Sequence, residues 1–410
     1  MPPDAKQPAS PPSSTPAAAG GTKAGRRGSP IVSGTPRRNP TLAGFLALGL
    51  FWGAWAAVLP SVQQATHASK GALGFAMLFV SVGSIPSMFL LAAPAVRRFG
   101  ARAVAIGCGV FAIGTTLPGL ATSLPVLIVT LTIAGIGSGL VDVGINANVG
   151  RIETETGGRL MPLAHGIYSV GILVGAVGAG LARSAGLGRE PILVAVAVLI
   201  ALTGLAVVTD DARVPAEPSA GIRIARGLIL IGFVGAAAFV VEGGMESWSA
   251  LFLERQLHAQ PAVSGLGPGI FGASMALGRF FGQAAVRFSD RALLGVGALL
   301  GALGCALAAA APNAPIGLLG FAIGGAGVSL NAPIVFGLAA RRPDAGTAVA
   351  TVTTIGYLGL LVGPPLVGGV AQVTNLRVSF VVLALVAAAV AVAATRLRLS
   401  DPEGVADTAS

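Results

Sequence analysis

Three carboxylic acids and one arginine lie deep within otherwise apolar stretches of this chain: Asp142, Glu242, Glu246 and Arg279. An ionisable side chain near the centre of a bilayer costs about 2.5–3.5 kcal/mol, so such a residue usually faces a partner or an ion path. A carboxyl group held there can take up and release a proton. These residues therefore predict proton transfer coupled to the passage of a small solute.

Asp142 belongs to a stripe of small and polar residues with Gly135, Gly139 and Asn146. The spacings of four, three and four residues place all of them on one side of a helix. Glycines let a neighbouring backbone or a solute come close, and the carboxylate and the amide then face it. We expect Asp142 to take part in proton coupling and Asn146 to contact the substrate. The alternative is structural, with Arg279 as the charge partner of Asp142.

Glu242 and Glu246 lie four residues apart and therefore share a helix face. Two carboxylates about 6 Å apart cannot both be ionised cheaply in a dry site, so one is expected to hold a proton. His165, near the start of the fifth apolar segment, can relay protons near neutral pH. Three alternatives stay open: Glu246 reaches water beyond the membrane, the acid pair selects a cationic cargo, or His165 is an interfacial residue held by the preceding loop.

Five further residues are candidates for substrate binding. Tyr168 follows His165 by one helical turn, and Asn331 lies near mid-depth of the tenth apolar segment. The other three are aromatic residues that can stack on a sugar or an aromatic solute: Trp52, Trp55 and Tyr357. The tryptophans suit an interfacial belt or helix packing equally well.

These residues are carried by twelve apolar segments of roughly 20 residues, which follow one another between residues 41 and 399. Each segment can cross a hydrocarbon core about 30 Å thick. The chain is 54% hydrophobic and only 10% charged, whereas a soluble protein carries about 25% charged residues. The pattern predicts an all-α membrane protein with twelve transmembrane helices. Both cysteines lie inside apolar segments and the three histidines are scattered, so no disulfide, metal site or cofactor is expected.

Basic residues are distributed unequally between the two ends of the segments. Of the 26 Lys and Arg residues, 20 fall on the side of the termini and 5 on the other, with Arg279 inside a segment. Because basic residues are retained in the cytoplasm, both termini should be cytoplasmic in a bacterial inner membrane. The net charge of +10 is thus explained by topology, and the lipid bilayer, not nucleic acid, is the expected partner.

The chain divides into two similar halves. Residues 1–39, rich in Pro, Ser, Ala and Gly, predict a disordered cytoplasmic tail. A polar linker at 210–225 separates two six-helix bundles at 40–209 and 226–400, and 401–410 form a second cytoplasmic tail. A shift of 188 residues places four glycines of the first bundle on glycines of the second: Gly137, Gly139, Gly171 and Gly175 on Gly325, Gly327, Gly359 and Gly363. Such repeats are typical of transporters with a site between the halves.

The sequence resembles the major facilitator superfamily over about residues 40–400. The loop after the second segment is similar to the family signature and contains the predicted gating residues Arg97, Arg98, Gly100 and Arg102, with Arg97 in the place of the family's Asp. The stretches around Asp142, His165, Glu242 and residues 356–368 resemble the bacterial inner-membrane branch related to fucose–proton symporters. The resemblance implies the major facilitator fold of two pseudo-symmetric six-helix bundles, and a proton-coupling role for Asp142 and His165.

These features predict a secondary active transporter and not an enzyme. A monomer that moves a small solute by alternating access, as proton-coupled symport of a sugar-like or other small polar metabolite, is the leading interpretation. One alternative is a proton-driven exporter of drugs or metabolites. A remote alternative is a non-transporting membrane sensor, for which the chain has only a short tail and linker outside the apolar segments.

Overall fold

Fourteen α-helices and one π-helical turn account for nearly all of the residues that the computed structural model describes, which are 38–99, 102–158, 160–208, 228–282, 288–342 and 345–396. The elements of the first half are α1 (Arg38–Thr66), α2 (Lys70–Pro86), the π-helical turn (Ser87–Ala92), α3 (Ala93–Phe99), α4 (Arg102–Leu120), α5 (Leu124–Thr156), α6 (Met161–Ser184) and α7 (Arg189–Val208). Those of the second half are α8 (Ile229–Gln256), α9 (Pro261–Gly282), α10 (Asp290–Ala310), α11 (Ala314–Val328), α12 (Asn331–Ala340), α13 (Ala345–Val373) and α14 (Leu376–Arg396).

The predicted all-α membrane fold is confirmed. Eleven continuous or slightly interrupted helices among the described residues are long and apolar enough to cross a membrane. The eighth predicted segment forms α9, which is 22 residues long and so about 33 Å in length, but its glycines and Pro268 make it less apolar. The predicted tails, the polar linker and Gly100 lie outside the described residues, apart from the first two residues of α1.

Both halves end their first long helix in the same way. His67, after α1, and His258, after α8, have positive φ angles of 51° and 53°, a conformation that usually ends a helix at glycine. The amide of Ala68 then donates to the carbonyl of Gln63, and that of Ala259 to the carbonyl of Leu253. The two corners lie 191 residues apart, close to the repeat read from the glycines, which supports a duplicated architecture.

Helix contacts fall into two groups that meet along an interface. Within the first half, α1 packs on α6, and α5 packs on α2 and α4; within the second, α8 packs on α13, and α10 packs on α11 and α14. The halves meet mainly where α6 contacts α9 and where α2 contacts α13. Glycines make the closest approaches: a Cβ atom added at Gly175 would collide with the Leu50 carbonyl oxygen of α1.

The tightness of this packing can be tested on α6 alone. Gly175→Ala should lower the thermal unfolding midpoint in detergent, because overpacking against the backbone of α1 costs about 1–3 kcal/mol. Gly178→Ala is the matched control, since nothing lies within 4 Å of its added Cβ and alanine is the better helix former. Equal midpoints for the two variants would contradict the α1–α6 contact described here.

Candidate functional site

A cavity of about 2270 Å³ lies between the two halves and is lined by both. It extends to the helix ends at Met161, Arg291 and Arg341, which we call the basic end. The opposite helix ends, which we call the far end, carry the five basic residues that the sequence placed on the side away from the termini. They are Lys70, Arg183, Arg189, Arg255 and Arg377. Those five do not line the cavity, which therefore opens only toward the basic end among the described residues.

Asp142 is on the cavity wall, as the sequence predicted for a proton-coupling acid. Its helix, α5, lies so close to α2 that a Cβ added at Gly135 or Gly139 would strike the α2 backbone or Ser87. Asn146 donates from Nδ2 to both Asp142 Oδ1 (3.1 Å) and the Asp142 carbonyl (2.8 Å). Asn146 thus orients the acid and is not itself on the cavity wall. Asn146 is linked to the cavity through Asp142, and its contact with a substrate stays a prediction.

Arg279 pairs with a different acid from the one expected. Its Nη2 lies 3.6 Å from Glu242 Oε1, and its Nε donates to the carbonyl of Ser329 at 3.3 Å. The interpretation of Arg279 as the charge partner of Asp142 is therefore wrong in this structure. The reason lies in the helix order: α9 packs on α8 and α11 in the second half, while Asp142 projects from the opposite wall.

Glu246 and His165 also face the cavity. Among the described residues Glu246 forms no ion pair, although Glu242 lies one helical turn away on the same face. The His165 ring packs edge-on against Phe45 at 5.4 Å between centroids. Counting only the part of the chain that the structure describes, the cavity therefore holds two acids that form no ion pair, Asp142 from the first half and Glu246 from the second.

Aromatic rings line the same space. Trp52, Trp55, Tyr168 and Tyr357 all contribute to the wall, and Trp55 is only 1% exposed. A flat solute entering between the halves would meet ring faces or edges from α1, α6 and α13. Such an arrangement suits hydroxylated rings, which combine apolar faces with hydrogen-bonding edges.

Asn331, like Asn146, was predicted to bind substrate and does not line the cavity. Asn331 is 2% exposed and starts α12 behind the wall, where its Oδ1 faces Gly297 of α10 and has no hydrogen-bond partner. The tenth segment, predicted as continuous, breaks at Ser329–Leu330, and this break sets the direction of Asn331. Of the predicted gating residues, Arg98 stacks on Phe99 at 5.6 Å and Arg102 begins α4; their gating role stays a prediction.

Serine hydroxyls on the cavity wall were missed from the sequence. They are Ser81, Ser84, Ser138, Ser247 and Ser289. Ser81 and Ser84 share one helix face with Met77 and Met88, at spacings of four, three and four residues. This spacing was the signal from which a cavity-facing stripe on α2 could have been predicted. Within the described residues, no three His, Cys, Asp or Glu side chains gather as metal ligands.

Comparison with known proteins gives a consistent result. The family description "Major Facilitator Superfamily" matches residues 41–283 and 228–409. An uncharacterized MFS-type transporter of Yersinia pestis is 32% identical over 372 residues, covering 89% of this chain and 96% of that protein. The structure is similar to the nucleoside transporter NupG, with a TM-score of 0.71, 15% identity and coverage of 87% and 98%. It is also similar to the E. coli fucose:proton symporter FucP, with a TM-score of 0.58, 17% identity and coverage of 87% and 97%.

The Glu242–Arg279 pair can be measured by a double-mutant cycle. Glu242→Gln and Arg279→Met should each lower the free energy of unfolding, since each leaves a charge without its partner. The double variant should recover part of the loss, with a coupling energy of about 0.5–3 kcal/mol. The same cycle with Glu246→Gln is the control and should give a smaller coupling energy. Equal coupling for the two acids would contradict the assigned pair.

Proposed function

The chain belongs to the major facilitator superfamily, and on that premise we propose that it is a proton-coupled symporter of a small polar solute. Members of this family are transporters, so the predictions of a multi-pass membrane transporter and of a chain that is not an enzyme are confirmed. The proposal adds the coupling ion, the cargo class, a bacterial inner-membrane location with both termini cytoplasmic, and action as a monomer. It also treats residues 40–209 and 226–400 as the two bundles that move.

One observation carries the proposal. Acids from both halves, Asp142 from α5 with Glu242 and Glu246 from α8, face one cavity that is open to one side. A carboxyl group placed there exchanges protons with the solution on the open side. When the halves rock about the site, the same group would be exposed to the other side. The arrangement therefore links a proton-binding event to the change of access.

Asp142 is the leading proton site within this proposal. Asn146 uses its Nδ2 group to hold Oδ1 and the backbone carbonyl of Asp142. Oδ2 has no hydrogen bond from the described residues, and it is the oxygen available to a proton or to a cargo hydroxyl. Loss of the proton leaves an anion that is unpaired on this wall, which disfavours a closed, dry cavity. Closure around the cargo would thus require the protonated acid.

Glu242 and Arg279 supply an exchangeable ion pair on the side of the cavity that the second half forms. Their separation of 3.6 Å is longer than a charge-assisted hydrogen bond, so a polar cargo group can compete for either member. Tyr168 from the first half and Tyr357 from the second also line the cavity and can bind hydroxyl groups. These contacts support a polyhydroxylated cargo of the sugar or nucleoside kind.

A second function, proton-driven export of a cationic cargo, is favoured by the two acids that form no ion pair with the described residues. Asp142 and Glu246 could hold a cationic cargo in the place of protons, and exchange of the two species would drive export. The two functions differ in the direction of cargo flux under an imposed pH gradient. Symport moves cargo toward the more alkaline compartment, whereas exchange moves it toward the more acidic one.

The proton site can be tested after a thermal-shift screen of the purified protein against sugars, nucleosides and amines has identified a stabilising cargo. In proteoliposomes, Asp142→Asn should abolish gradient-driven accumulation but retain cargo counterflow, because exchange of cargo for cargo needs no net proton movement. Glu155→Gln is the control, since Glu155 lies outside the cavity and pairs with Arg151. Full accumulation by Asp142→Asn would exclude Asp142 as the proton site.

A further inference from the structure

We infer that Arg183 and Glu254 form the outer gate of the transporter, a latch that holds the far end closed while the basic end is open. Arg183, near the end of α6, donates to the Glu254 carboxylate of α8 from both terminal guanidinium nitrogens, at 2.9 Å for Nη1 and 3.0 Å for Nη2. Among the described residues this is the one ion pair that joins the two halves. Neither Arg183 nor Glu254 lines the cavity, so cargo binding does not explain the pair.

The latch is largely shielded from water. The side chain of Arg183 is 8% exposed and that of Glu254 is 17% exposed. A paired charge in such surroundings is strongly held, because removal of one partner strands the other. The bidentate geometry also fixes the orientation of α6 relative to α8. Separation of the far ends requires this contact to break.

Each partner has hydrogen-bonding groups in its own half that would remain after separation. Arg183 donates from Nε to Ser61 Oγ (2.8 Å) and from Nη1 to the Ala57 carbonyl (2.9 Å), both on α1. Glu254 accepts from Ser264 Oγ of α9 at 3.2 Å. Each charged group therefore keeps neutral hydrogen-bonding groups within its own half when the halves part, although it loses its opposite charge. This arrangement distinguishes a reversible latch from a permanent structural ion pair.

Backbone contacts surround the latch and close the far end with it. A Cβ added at Gly368 of α13 would lie 2.6 Å from the Lys70 carbonyl of α2, and one at Gly180 of α6 would lie 2.8 Å from the Pro261 carbonyl of α9. The Ala262 amide donates to Ser184 Oγ at 2.8 Å, which is a further contact between the halves. Arg255 Nη2 also donates to the Pro60 carbonyl (3.4 Å), and the Gly71 amide donates to Gln372 Oε1 (3.3 Å). The far end thus combines close backbone contact and several hydrogen bonds with the Arg183–Glu254 ion pair.

The other end has no equivalent lock among the described residues. The two ion pairs there, Arg151–Glu155 and Arg341–Asp290, each stay within one half. The inference rests on the proposed alternating access, because a gate has meaning only if both ends open in turn. It goes beyond that proposal by assigning the residues that set the balance between the two states.

The latch can be tested with a cysteine reporter that reads conformation without any cargo. Ser247→Cys places a thiol on the cavity wall, while both native cysteines are buried. A membrane-impermeant maleimide added to intact cells reaches this thiol only when the far end opens. Glu254→Gln and Arg183→Gln should each speed labelling from outside by at least about fivefold, since they remove the polar lock. Labelling in inside-out vesicles checks that each variant is folded and that its reporter is reactive.

Two matched controls and a second pair of variants make the test decisive. Glu190→Gln breaks an ion pair with Arg189 at the same end but within one half, and should leave labelling unchanged. Gly368→Ala should speed labelling, whereas Gly369→Ala, with nothing within 4 Å of the added Cβ, should not. Unchanged labelling in both charge variants, with or without an effect of Gly368→Ala, would overturn the latch. Faster labelling of the Ser247→Cys reporter in the charge variants, in a protein that transports no cargo, would instead refute the proposed function and leave the latch standing.

Discussion

Close contact between helix backbones is the interaction on which this structure depends. In lipid, helices gain nothing from burying apolar side chains, so they associate through dense packing at small residues. The chain has 60 glycines, and many stand where a Cβ would strike a neighbouring backbone, as at Gly135 against α2 and Gly175 against α1. Two tightly packed halves result, and the polar groups that cannot be placed in lipid are left at the surface between them.

The cavity between the halves is therefore where the acids collect. Asp142 and Glu246 stand on facing walls, and the Glu242–Arg279 pair lies beside them. Because the far end is held by backbone contact and by Arg183–Glu254, water reaches these acids from the basic end. The placement of the charges and the one-sided opening have a common origin in how the halves meet.

The sequence was sufficient for the fold and for the buried acids and several aromatic residues of the cavity wall, because hydropathy and isolated charges depend on neighbouring residues alone. Asp142, Glu242 and Glu246 were found from their depth in apolar segments. The partner of Arg279 was not, since depth gives no information on which helix lies opposite. The position of Asn331 behind the cavity wall was not predicted for a related reason: the break at Ser329–Leu330 turns its side chain toward α10. The Arg183–Glu254 pair joins residues 71 positions apart in different halves, and no local sequence pattern brings two such residues together.

The glycine contacts at the far end have a consequence for how such a protein can change over generations. Main-chain atoms of α2, α6, α9 and α13 make these contacts, while side chains of other positions, such as Trp52 and Tyr357, shape the cavity. Replacement of a cavity residue therefore leaves the sealing surface intact. The residues that would determine cargo preference are thus separate from those that seal the far end, so the first can vary without opening a leak.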